Sequence, residues 1–169
     1  MNKAFHAAVM TFAIVGSLEA QNAYAGDAVT PCDIKVFSVD TDPKGTNVRS
    51  GPGAEHGVLA LIADQDSEME VTGISGKWLR IRHAEGVGGK VFFKGEGWVF
   101  AGLMGVTARS KTVLHATPDV NGAVVGSMVA DDSGVVSSCS GQWVQVQAKN
   151  IKGWMAPNTH CGNPVTTCN

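Results

Sequence analysis

Four cysteines, five histidines and four tryptophans are the side chains from which any chemistry or recognition in this 169-residue chain would be built. A thiol hydrolase needs a thiolate beside a base, and a metal hydrolase needs clustered histidines and carboxylates. The histidines, at 6, 56, 83, 115 and 160, are scattered. His160-Cys161 is an adjacent pair, but an oxidised Cys161 has no thiolate to offer. No HExxH, GxSxG or phosphate-loop pattern occurs, and Gly86-Val87-Gly88-Gly89 lacks the Lys-Ser/Thr of a nucleotide site. The cysteine spacings contain no CxxC pair of the kind that holds zinc. The residues therefore point to binding rather than catalysis, with no metal and no cofactor.

The compartment follows from the first residues. Lys3 precedes an apolar run from Ala7 to Leu18, and small residues flank Tyr24 in Ala23-Tyr24-Ala25. That is the layout of a secretory signal peptide over residues 1–25, with the mature chain starting at Gly26. The apolar run is shorter than the roughly 20 residues that span a bilayer, and no later segment approaches that length, so no transmembrane segment is expected. The expected location is secreted, periplasmic or otherwise extracytoplasmic. In an oxidising space the even set Cys32, Cys139, Cys161 and Cys168 reads as two disulfides, with three pairings open. The preferred one joins Cys139 to Cys161 and Cys32 to Cys168, closing the second half and tying the two ends. The net charge of −2 argues against a nucleic-acid or anionic-membrane partner, which would call for a basic excess.

After Ala25 the pattern is all-β. Leu79 and Ile81 alternate with Arg80 and Arg82, and Val144 and Val146 alternate with Gln145 and Gln147, each a strand with one buried face. Ser50-Gly51-Pro52-Gly53, Ser75-Gly76 and Ser140-Gly141 supply turn chemistry between them. An internal repeat is visible. Pro52, Val58-Leu59, Ser75-Gly76-Lys77-Trp78-Leu79-Arg80-Ile81 and Gly97-Trp98-Val99 recur as Pro118, Val124-Val125, Ser140-Gly141-Gln142-Trp143-Val144-Gln145-Val146 and Gly153-Trp154-Met155. Proline precedes the first tryptophan by 26 residues in one copy and 25 in the other. The tryptophans themselves are 20 and 11 apart, which places a nine-residue insertion within residues 83–96 of the first copy.

Asn47-Val48-Arg49-Ser50-Gly51-Pro52-Gly53, followed by Val58-Leu59, Ser75-Gly76-Lys77-Trp78-Leu79-Arg80-Ile81 and Gly95-Glu96-Gly97-Trp98-Val99, resembles the bacterial SH3-like (SH3b) family. The resemblance covers residues 34–104. Residues 107–161 look like a diverged second copy, in which Leu114-His115-Ala116-Thr117-Pro118-Asp119 replaces the signature turn. The resemblance implies two tandem small SH3-type β-barrels, after an extension at 26–33 and before a tail at 162–169. It also implies attachment to peptidoglycan or to an envelope protein or peptide. The alternative is a structural, protein-interaction module that scaffolds an envelope complex and touches no glycan. Small domains of this size bury little core, so disulfides would help to stabilise them.

Within the first copy, Arg49 reads either as an anion clamp or as a hydrogen-bonder to turn carbonyls. Trp78 and Trp143 lie on the non-core face of their strands, whereas Trp98 and Trp154 read as core. Phe92 and Phe93 are adjacent on an apparent strand and should point to opposite faces, leaving one away from the core. Ligand contacts are therefore expected from Trp78, from one of Phe92 and Phe93, and from the turn carrying Arg49, Glu55 and His56. The second copy is expected to contribute mainly stability.

Overall fold

The structure, a computed structural model, describes residues 28–163. The expected signal peptide and Cys168 lie outside the described residues. Among the described residues, thirteen strands and one 3-10 turn, Ala101–Leu103, make up the regular structure. The first half contains β1 (Thr30–Ser38), β2 (Thr46–Arg49), β3 (Val58–Ile62), β4 (Glu68–Ser75), β5 (Trp78–Glu85) and β6 (Val91–Phe100). The second contains β7 (Met104–Ala108), β8 (Thr112–His115), β9 (Val124–Met128), β10 (Ser133–Ser140), β11 (Trp143–Ala148) and β12 (Ile151–Met155), with β13 (His160–Cys161) added to β7.

The alternation read from the sequence sets the faces of β5 and β11. Leu79, Ile81, Val144 and Val146 are fully buried, while Trp78, Arg80, Trp143 and Gln145 occupy the opposite, half-covered face. Two-residue loops lead into both strands, with Ser75 paired to Trp78 and Ser140 to Trp143. Gly76 and Gly141 take φ of +56° and +54° there, a backbone region that a Cβ disfavours.

The ladders join into one sheet with the order β3-β2-β6-β5-β4-β1-β7-β10-β11-β12-β8-β9. Read outward from the β1–β7 junction, each half presents its first, fourth, fifth, sixth, second and third strands. The junction is short, Phe37 opposite Gly105 and Ser38 opposite Met104. The all-β class therefore stands, but in place of two closed barrels the strands follow one open path that ends on β3 and β9. A single buried cluster runs through both halves, from Val36, Val48, Leu79 and Val99 through Met104 to Leu114, Val136, Val146 and Met155. Each fully buried aliphatic side chain contributes about 1.5–3 kcal/mol, so the halves stabilise one another through a shared core.

The disulfide pairing departs from expectation. Cys32 is joined to Cys139, with 5.8 Å between their Cα atoms, so neither Cys139–Cys161 nor Cys32–Cys168 forms. The cause is the packing of β1 across the second half. Asp33 N–H donates to Gly141 O at 2.8 Å and Gly141 N–H to Pro31 O at 2.9 Å, which sets Cys32 beside Cys139. Cys161, also disulfide-bonded, lies instead on β13 opposite Thr107 of β7. No helix among the described residues is long and apolar enough to cross a membrane.

Candidate binding site

The site begins at the turn after β2. A register shift between Val48 and Arg49 ends the β2–β3 ladder and turns the Arg49 side chain back over the loop. Its Nη1 donates to His56 O at 2.8 Å, while Ser50 N–H reaches Gly57 O at 2.9 Å and His56 N–H reaches Gly53 O at 3.3 Å. The His56 ring lies so close to Gly51 that a Cβ there would sit 2.5 Å from it, and so a side chain at this position would require the ring to move. Glu55 is exposed, with its carboxylate 3.5 Å from His56 Nε2. Arg49 thus performs the structural task of holding a turn carbonyl, and in doing so places its guanidinium at the wall of a cavity.

That cavity, of about 270 Å³, is lined by Asp40, Asp42, Gly45, Asn47, Arg49, Trp78, Phe100 and Leu103. Trp78 and Phe100 face each other across the β5–β6 ladder, their rings edge to face at 5.6 Å and 65°. Phe100 stays 36% exposed, an aromatic surface that water reaches from the cavity side. Of the residues expected in the site, the structure brings Arg49 and Trp78 together here. Phe100, Asp40 and Asp42 are additional members. Phe100 had a signal in the sequence: the first copy reads Gly97-Trp98-Val99-Phe100 where the second reads Gly153-Trp154-Met155-Ala156. The two aspartates lie in the β1–β2 connection, which carries no repeat landmark.

Phe92 and Phe93 lie at the other end of the same hairpin, where Ala84 opposes Phe93. Both are half-buried and both pack against the core, contrary to the expectation that one would point away. Register shifts between Ile81 and His83 and between Ala84 and Glu85 break the strict alternation on which that expectation rested. Phe93 fills the space beside Gly97, and Phe92 carries Lys90 Nζ 4.7 Å above its ring. A second cavity, about 400 Å³, opens beneath the Gly86–Gly89 tip. Its three glutamates are paired, Glu68 with Lys35 at 2.5 Å, Glu70 with Arg82 at 2.6 Å and Glu85 with His83 at 3.2 Å, while Asp66 forms no ion pair among the described residues. The Arg82 hydrogen bond holds the Glu70 carboxyl below its usual range, and that of Glu68 raises Lys35.

The second half builds the equivalent place from other groups. His115 occupies the position of Arg49, and its Nδ1 hydrogen-bonds Gly122 O at 3.0 Å. The imidazole also meets Trp143 edge to face at 5.6 Å and 84°, so Trp143 packs on the turn-holding residue itself. Trp98 is buried as expected, whereas Trp154 is only half-buried. His160 Nε2 donates to Gln142 O at 3.1 Å, and burial pushes its pKa below the usual value, with Arg109 adding to the effect.

No curated protein matches the sequence. Among solved structures, a match is the structure of NlpC2 from Trichomonas vaginalis, at 8% identity and a TM-score of 0.31, covering 79% of this chain and 48% of that one. The chain thus spans about half the length of that protein. Residues 44–104, which supply the turn, Arg49, Trp78 and Phe100, match the family model of the bacterial SH3 domain.

Proposed function

We propose that this protein is an exported, non-catalytic binding module that holds peptidoglycan in the cavity between the β1–β2 connection and the Trp78–Phe100 pair. The observation that carries the reading is the position of that cavity. It lies against the turn of the matched SH3 segment and joins an exposed aromatic surface to a few polar groups, the composition of a recognition site. The disulfide supports an oxidising, extracytoplasmic setting. His160 stands beside a disulfide-bonded Cys161, so that pair holds no thiol nucleophile and favours binding over hydrolysis. The second half acts as a second SH3-type unit of residues 107–161 that has kept the scaffold and lost the aromatic surface.

A second reading, a protein-interaction scaffold, is favoured by the apolar side chains left uncovered on the two edge strands. Val58, Leu59 and Leu61 on β3, and Val124 and Val125 on β9, are all exposed. Co-sedimentation with purified sacculi separates the two. Wild-type protein should be retained at moderate salt, Trp78→Ala should weaken retention by about 1–3 kcal/mol, and Trp143→Ala should leave it unchanged. Failure of the wild type to sediment, with an envelope protein co-purifying instead, would establish the scaffold.

A further inference from the structure

Asp40 and Asp42 line the same cavity as Trp78 and Phe100, and their hydrogen bonds come from neutral donors. Asp40 Oδ1 accepts from Asp42 N–H at 3.0 Å and its Oδ2 from the Thr46 hydroxyl at 3.2 Å, while Asp42 Oδ1 accepts from Lys44 N–H at 2.9 Å. Such donors orient a carboxylate without cancelling its charge. Among the described residues neither aspartate forms an ion pair, in contrast to Glu68, Glu70 and Glu85 around the larger cavity. Arg49, the one cation on the wall, donates to the neutral His56 carbonyl and keeps its charge, so the wall carries two carboxylates against one guanidinium.

The excess of one negative charge beside two aromatic rings selects a cation, because the acids attract it directly and the ring faces attract it through their quadrupoles. Size narrows the choice. About 270 Å³ falls just below the ~300 Å³ at which pockets begin to enclose whole small molecules, so the cavity admits one side-chain-sized group. We infer that it holds a free primary ammonium group of the peptidoglycan peptide, with the aliphatic stem against Trp78 and Phe100 and the charge against Asp40 and Asp42. This rests on the peptidoglycan-binding reading above.

The test uses the disulfide-bonded protein and sacculi in two forms, untreated and with their free amines acetylated. Acetylation turns the ammonium into a neutral amide and leaves the glycan intact. Retention of the wild type should fall about ten-fold on the acetylated material. Asp42→Asn should show that lower retention on untreated sacculi and no further loss on acetylated ones. Should the variant fail to fold, the comparison of the two sacculi with wild-type protein decides alone. Equal retention on both forms would overturn the ammonium assignment while leaving peptidoglycan binding in place. Retention on neither would overturn both.

Discussion

The turns after β2 and after β8 share a single residue type over eight positions, the prolines at 52 and 118, yet they carry the same hydrogen bonds. Ser50 reaches Gly57 as Ala116 reaches Ala123, Gly53 reaches Gly51 as Asp119 reaches Thr117, and His56 reaches Gly53 as Gly122 reaches Asp119. The ladders shift register at the same place, before Arg49 and before His115. In each turn the residue that ends the strand sends its side chain to the carbonyl seven positions on. A backbone path of this kind asks only for a proline that pre-sets φ and a side-chain donor of sufficient reach. Arginine and histidine both qualify. What differs is the use of the space behind the donor. Arg49 leaves Trp78 to pair with Phe100 at a cavity wall, whereas His115 packs on Trp143 and the position matching Phe100 is Ala156. Conserved scaffold and divergent surface are therefore separable within one chain.

The largest expected effect concerns the link between the halves. Replacing Cys32 and Cys139 together with Ser removes a bridge across 107 residues of chain, and the chain-entropy model sets that at about 4–5 kcal/mol. Chemical denaturation with and without the bridge measures it. A loss below about 1 kcal/mol would mean that the common core alone fastens the two halves.

Next comes the double change Phe92→Ala with Phe93→Ala. Because both rings are half-buried on the core, it should cost about 3 kcal/mol of stability, somewhat less than truncating fully buried rings, and barely alter sacculus retention. A melting temperature near that of the wild type with reduced retention would restore these rings to the binding site.

A smaller effect tests the two turn-holders directly. Arg49→Ala and His115→Ala should each destabilise by about 1 kcal/mol, the net value of one hydrogen bond to a turn carbonyl. Arg49→His, which imports the solution used by the second half, should recover most of that loss. Failure of the imidazole to rescue would show that the two turns are not equivalent in energy.

The smallest is a pH effect confined to the second half. His160 has a folded pKa below its unfolded value of about 6.5, so the unfolded state binds the proton more readily in the window between the two. Its contribution to stability is complete above that window and is lost as pH falls through it. His160→Gln should flatten this part of the stability–pH curve, read from denaturation midpoints at a series of pH values. Glu70, on β4 of the first half, has a folded pKa below the ordinary carboxylate value and loses its contribution at lower pH.

Much of the strand content was legible because it is local. Leu79 and Ile81 against Arg80 and Arg82, and the Ser-Gly turns before Trp78 and Trp143, define strand faces and hairpins through period-two burial and glycine's access to positive φ. The repeat was legible because its landmarks keep their order, and it reappears as the same strand order in each half. Arg49, singled out by the signature turn, and Trp78, by its place on the non-core face of β5, lie at one cavity wall. The opposed faces assigned to Phe92 and Phe93 were not, because bulges in the β5–β6 ladder rotate the strand at positions that composition does not mark.

By itself, then, the sequence determined the all-β class, the signature turn and the faces of β5 and β11, all consequences of interactions between residues near one another along the chain. Only the tertiary structure decided that the halves share one sheet and one core, that Cys32 meets Cys139, and that Asp40 and Asp42 reach the cavity beside Trp78 and Phe100. The shared sheet and the disulfide depend on β1 pairing with β7 and lying along the second half. That choice among sheet edges is made by the fit of whole surfaces, and the spacing of individual residues does not record it.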